Sequence, residues 1–131
     1  MLKTKNTIKY WKKKAWDEFS LYIRRLYADR NGFVKCYTCG TVKHYKEMQA
    51  GHFVDGRGTM VLFDERLVFP QCYICNCMKH GDKVNYTLKM LEKYSKEEIQ
   101  DFENLKGKTK PMKWFDYQEI YEKYHELISS L

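Results

Sequence analysis

The chain lacks any long apolar run, and its basic opening MLKTKNTIKYWKKK leads into no hydrophobic segment. The first absence excludes a spanning helix and the second a secretory signal, so an intracellular, cytoplasmic protein with no membrane partner is expected. Internal repeats and low-complexity tracts are missing too, which argues against a repeat array. Acidic residues are scarce where basic ones concentrate. Residues 1–46 hold twelve Lys/Arg against three Asp/Glu, and the remaining 85 residues hold twelve against fourteen. The formal charge of +7 therefore sits in the first third of the chain. A concentrated positive face attracts polyanions, nucleic acid first among them. The plainer alternative is a solvated basic helix that only aids solubility.

A length of 131 residues suits one domain, 1–131, and an aromatic content of 16% argues for a real core. Residues 6–29 read as a helix. Trp11, Ala15, Phe19, Tyr22, Ile23 and Leu26 fall on one stripe, and Lys9, Lys12, Lys13, Arg24 and Arg25 lie mostly off it. Asn31 and Gly32 supply a stop. This is the core of a basic N-terminal segment, 1–29, whose outer face can touch DNA while the inner face packs. Residues 33–70 read as short strands and turns, with FVKCYTCG, AGHFVDGRG, MVLF and RLVF as the strand candidates. Residues 73–92 turn helical, with Val84, Leu88 and Leu91 as an apolar stripe, Cys77 on the same side, and a break at Gly81 that Asp82 caps. SKEE at 95–98 is a capping-box pattern, LKGKTKPMK a basic linker, and DYQEIYEKYHELISSL, 116–131, a last helix with Ile120, Tyr124, Leu127 and Leu131 on one face. That face either closes over the core or makes a dimer contact. The fold class is α+β.

Five cysteines in an intracellular chain point to metal rather than disulfides. Cys36 and Cys39 form one CxxC pair, and Cys72 and Cys75 form another after a 32-residue spacer. Two such turns present four thiolates to one tetrahedral Zn2+. A closed four-thiolate site has no open position, so it is structural and any catalysis comes from elsewhere. No thioredoxin-like βαβ pattern surrounds either pair, which excludes the redox reading. Cys77 is left over for the apolar side of its helix.

The spacer carries MQAGHFVDGRG, with His52 on a strand before a Gly-rich turn, and Asn76 directly follows the second cysteine pair. A knuckle, a strand bearing His, a hairpin, a second knuckle and a helix opening with Asn is the order of a ββα-metal nuclease finger. An imidazole near its ordinary pKa suits a general base. The Asn76 carbonyl suits a hard divalent ion, Mg2+ or Mn2+, and on an α-helix His80 would share its face. Read plainly, Asn76 is a helix cap and His80 a surface residue. His44 and His125 carry no supporting context.

The stretches AWDEFSLYIRRLYADRNGFVKCYTCG, MQAGHF, FPQCYICN, HGDKVNY and KWFDYQEIYEKY resemble, in order and over nearly the whole chain, the NinG/Rap recombination nucleases of lambdoid phages, within the HNH or His-Me finger endonucleases. The resemblance implies a zinc-braced ββα-metal core (30–92) between the basic helix and a C-terminal helical extension (93–131). It implies a metal-dependent endonuclease on branched DNA such as Holliday junctions and displacement loops, in the host cytoplasm. His52 would be the base, Asn76 a catalytic-metal ligand, and Cys36, Cys39, Cys72 and Cys75 the zinc site. Lys9, Lys12, Lys13, Arg24 and Arg25 would grip DNA, with Arg57 and Lys79 near the scissile phosphate. Symmetric cutting of a junction would call for a homodimer. Two positions depart from the general HNH pattern. Gly51 stands where many HNH proteins have an Asp or His ligand, with His80, Asp55, Asp64 and Glu65 as substitutes. Leu67 stands where many have an Asn that orients the base, with Gln49 as its substitute. The rival reading is a zinc-containing, junction-binding protein without nuclease activity.

Overall fold

The computed structural model describes residues 6–131, so the start of the basic 1–29 segment lies outside it. Thr7 caps the first helix, its hydroxyl accepting from the Tyr10 amide at 3.2 Å. The helix, α1, runs Ile8–Leu26 and so is shorter than the 6–29 read from its stripe. Ala15, Phe19 and Ile23, four apart, are fully buried, each aromatic or branched side chain contributing about 1.5–3 kcal/mol of transfer free energy. After α1 the Asp29 carboxylate accepts from the Asn31 and Phe33 amides. Gly32 follows at φ +89°, with the His44 ring 2.5 Å from where a Cβ would stand. Both the turn and the close ring demand glycine there.

Strands β1 (Phe33–Lys35) and β2 (Val42–His44) form an antiparallel hairpin that carries the first cysteine pair at its tip. Strands β3 (Gln49–His52) and β4 (Val68–Gln71) form a second antiparallel ribbon, pairing Gln49 with Gln71 and His52 with Val68. This ribbon is the middle layer. Side chains alternate along a strand, so Ala50, His52 and Val68 face one way and Gln49, Gly51 and Phe69 the other. On the first side Ala50 and Val68 join Phe19, Ile23 and Tyr124 in a core shared with α1 and the last helix, α5 (Trp114–Ser129). On the second side Phe69 joins Phe53, Val54, Tyr86, Met90, Ile99 and Phe102. These come from the loop after β3, from α3 (Lys83–Met90) and from α4 (Lys96–Glu103). The expected capping box opens α4: Ser95 and Glu98 each accept from the other's amide, an arrangement worth about 1 kcal/mol.

Several readings of the sequence are corrected. MVLF is no strand: Thr59–Leu62 is a short helical turn, α2, because a brief apolar run has no periodicity to separate the two states. The 73–92 segment is not one helix. Ile74–Met78 is a π-type turn, and His80 and Asp82 then adopt left-handed φ of 51° each before α3 begins. That break resets the helical phase. Tyr86 and Met90 are buried, and the stripe expected in the core, Val84 and Leu88, is 73% and 59% exposed. Asp82 stands at the N-cap of α3 with no side-chain bond to the helix amides. Cys77 is exposed rather than packed on an apolar face. Along α5, Ile120, Tyr124 and Leu127 pack toward α1, but Leu131 lies past the helix and is exposed. Within the chain, that stripe closes over the core. Among the described residues no helix is long and apolar enough to cross a membrane.

Candidate metal centre and active site

The four paired cysteines converge as their spacing predicts. Their sulfur atoms all lie within 4.8 Å of one another, drawn together by β1 on one side and the end of β4 on the other. The Tyr37 amide donates to the Pro70 carbonyl at 2.8 Å, which locks the first knuckle to β4. The Cys39 and Cys72 sulfurs are 3.8 Å apart. That matches the edge of a tetrahedron around zinc, about 3.8 Å for a zinc–sulfur bond of about 2.3 Å. Burial opposes ionisation of Cys36, but the Thr38 hydroxyl and the backbone amides of Cys72, Cys39 and Thr38 outweigh it and bring its thiol down to about 6. Cys72 and Cys75 are pushed up, chiefly by burial, with hydrogen bonds from Cys75 opposing the shift at Cys72 and one from Thr38 opposing it at Cys75, and the charge on Cys36 adding least. Four thiolates repel one another unless a cation sits among them, so this set fits a soft divalent metal ion and could hold one.

His52 ends β3 at the mouth of the loop 53–58. Its ring stacks on Trp16 of α1, with centroids 5.0 Å apart and planes 20° from parallel. Its Nε2 lies 3.1 Å from the Leu62 carbonyl oxygen. A carbonyl only accepts, so Nε2 carries the proton and Nδ1 keeps the lone pair. Burial lowers the pKa of His52. The Leu62 contact opposes that shift, nearby Arg57 adds to it, and Asp55 partly offsets it. The ring is therefore neutral at pH 7, the form a base needs. The Arg57 guanidinium lies 4.7 Å from the centre of the same Trp16 ring. Arg57 holds a left-handed φ of 48°, a strained backbone of the sort that clusters at functional sites.

Asn76 sits in the π-type turn, and its amide nitrogen donates to Gln49 Oε1 at 2.7 Å. This commits the NH2 end, and the carbonyl oxygen accepts no hydrogen bond among the described residues, so it could take a cation. The exposed Cys77 thiol donates to the same Gln49 oxygen at 3.2 Å. Gln49 thus orients Asn76 and not His52. The group that orients His52 is the Leu62 main chain, which pattern-matching on side chains could not find. His52 and Asn76 make no hydrogen bond with each other. Gln49 and His52 are opposite ends of β3, about 10 Å apart along the strand.

The glycine at 51 now has a physical reason. A Cβ there would stand 1.8 Å from Gln71 Oε1. Gln71 is fully buried, and its amide donates to Thr38 Oγ1 at 3.1 Å and to the Gly81 carbonyl at 2.9 Å. Its Oε1 has no hydrogen-bond partner among the described residues and occupies the place where a Cβ on residue 51 would stand. The Gln71 side chain fills the space that an acidic or histidine ligand at 51 would need. Tyr86 adds a third tie, donating to the Gly51 carbonyl at 2.7 Å.

The remaining sequence candidates scatter. His80 is exposed, and its left-handed backbone, outside any α-helix, cancels the i,i+4 pairing with Asn76. Asp64 is held by Arg66 through two contacts, Glu65 accepts from the Tyr124 hydroxyl, and Asp55 is exposed in the loop. Lys13 pairs with Asp17. Arg24 is an internal strut, donating to Ser20 and to the Tyr45 carbonyl. Arg25 lies over the Tyr45 ring. Lys9 and Lys79 are exposed and Lys12 half-buried.

A family model described as Bacteriophage Lambda NinG protein matches residues 2–131. The chain belongs to the NinG family. No curated protein matches it, and no solved structure does. The match spans both cysteine pairs, the His52 strand and Asn76, so the whole arrangement described above belongs to a NinG chain. Trp16, Leu62 and Gln71, which shape the surroundings of His52 and Gly51, were not singled out from sequence because each acts across a long stretch of chain.

Proposed function

We propose that this NinG chain is a metal-dependent endonuclease of the His-Me finger type, selective for branched DNA and serving phage recombination in the host cytoplasm. Membership of a phage family supports the setting. The observation that carries the chemistry is His52: a neutral imidazole whose Nε2 is spent on Leu62 and whose Nδ1 is free, on a ribbon bracketed by two cysteine knuckles. In this reading Cys36, Cys39, Cys72 and Cys75 hold Zn2+ and fix the ribbon. The Asn76 carbonyl contributes to holding Mg2+ or Mn2+, which supplies positive charge for the phosphorane and the leaving oxygen. His52 Nδ1 removes the proton from the attacking water. Arg57, braced on Trp16, neutralises phosphate.

One observation favours the rival, a junction-binding protein without cleavage. Among the described residues the cysteines are the sole cluster of three or more His, Cys, Asp or Glu side chains placed to share a metal ion, and Gln71 closes position 51. Labelled four-way junction and linear duplex, incubated with zinc-loaded protein in Mg2+, Mn2+ or EDTA, separate the two. Nicking that needs the divalent ion and disappears in His52→Ala, with binding retained, supports the nuclease. Binding without nicking under every ion leaves the rival.

A further inference from the structure

The segment between α4 and α5 carries Lys106, Lys108, Lys110 and Lys113 with no acidic residue among them, and all four side chains are exposed. It is not a loose tether. Thr59 Oγ1 accepts from the Lys110 amide at 2.7 Å and donates back to the Lys110 carbonyl at 3.2 Å. The Met60 amide donates to the Lys108 carbonyl. The loop after His52 lies so close that a Cβ on Gly58 would stand 2.7 Å from the Lys108 oxygen, and one on Gly56 would reach Gly107 and Lys106. Main-chain contacts therefore fix this lysine-rich strip beside Arg57, and Arg57 shares Trp16 with His52.

Several acids around the strip are already engaged, while Asp55 and Glu119, the latter bordering Lys110, form no ion pair among the described residues. Asp64 is bound by Arg66, Glu65 by Tyr124, Glu103 by Lys83, and Asp116 caps α5 through the Lys113 amide. None of the four lysines forms an ion pair among the described residues. Several cations of α1 are by contrast spent internally: Lys13 on Asp17, Arg24 on backbone carbonyls, Lys14 over the Tyr121 ring.

We propose that residues 106–113 form a track for the DNA phosphate backbone, continuous through Arg57 with the His52 site, so that DNA is held chiefly from the C-terminal side of the loop after His52 rather than by α1. The proposal rests on the nuclease or DNA-binding reading above. The track lysines act as point charges: Lys113 leans over the Phe115 ring, and Lys106, Lys108 and Lys110 form no ion pair among the described residues while their main chain is pinned, so substituting these removes charge and leaves the fold.

The experiment is fluorescence anisotropy of labelled duplex and four-way junction in EDTA from about 50 to 200 mM salt. It compares full-length wild type, Lys108→Ala/Lys110→Ala, and the charge-matched control Lys93→Ala/Lys96→Ala, with thermal melts to confirm equal folding. The track variant should bind about tenfold more weakly, and its salt slope should fall by roughly 2, since each lost phosphate contact removes about 0.9. Junction and duplex should suffer alike, because backbone contacts carry no sequence information. If the wild type binds and the track variant matches the control in affinity and slope, the track is wrong and the nuclease reading survives. If the wild type binds no DNA at any salt, both readings fall together.

Discussion

The two ends of β3 are three residues apart in sequence and opposite in character. At the Gln49 end most polar groups are committed: Gln49 holds Asn76 and Cys77, and the Gln71 amide nitrogen spans Thr38 and Gly81, with Gln71 Oε1 the buried exception. At the His52 end one group is left over, the Nδ1 lone pair, and the loop beyond is strained at Arg57 and open to solvent. The more heavily bonded end steadies the strand, and His52, the base in the proposed function, stands about 10 Å along it.

The most damaging way to break that contrast is to empty the saturated end. Cys36→Ser or Cys72→Ser, or prolonged chelation, should abolish the cooperative melt, since structural metal binding of this kind is worth about 10–16 kcal/mol; circular dichroism with metal analysis would show it. A variant that keeps the wild-type melting temperature without bound metal would refute the stabilising role. His52→Ala should do the reverse. Cleavage should fall by roughly 100- to 10,000-fold while the melt stays cooperative and shifts only modestly, since the ring's stacking on Trp16 and its bond to Leu62 are lost but the cysteine cluster is intact.

Gly51→Ala probes the space between the ends. The new methyl would displace the Gln71 amide and cost about 1–3 kcal/mol. Gln71→Ala in the same chain should recover part of that loss, and full additivity of the two would argue against the clash. Trp16→Leu sharpens the comparison at the other end. Thinning the cover over His52 should raise its pKa toward the ordinary value, read by proton NMR of the imidazole, with the acid limb of the cleavage profile moving up in step. The sign carries to stability. Folding holds His52 below its unfolded pKa of about 6.5, so the folded state loses stability as pH falls below that value. Trp16→Leu should weaken this dependence. Cys77→Ser should change least, within about 0.5 kcal/mol, because the thiol is exposed and a hydroxyl can still donate to Gln49.

What could be read from sequence was what is local. CxxC spacing fixes two sulfurs per turn, and Ser95 with Glu98 announces a helix start, so both were foreseeable from a few neighbouring residues. The α1 stripe was legible because it runs for five turns. The α3 stripe was misread because the turn at His80–Asp82 resets the phase, and no periodicity crosses a left-handed break. Gln71 against Gly51, Trp16 on His52 and Leu62 at Nε2 join residues 10 to 36 apart in the chain. Such contacts exist only once the ribbon is paired and α1 is docked, and nothing in their local sequence marks them.

Gln71 also sets how the ribbon aligns. Among the β3 residues Gln49, Ala50, Gly51 and His52, glycine alone leaves room for an amide lying across the strand. Any slipped pairing would drive that amide onto a Cβ and strip its bonds to Thr38 and Gly81. The side chain therefore works as a key with one notch: the hairpin closes in a single register, and the two halves of the cysteine cluster meet in only one way.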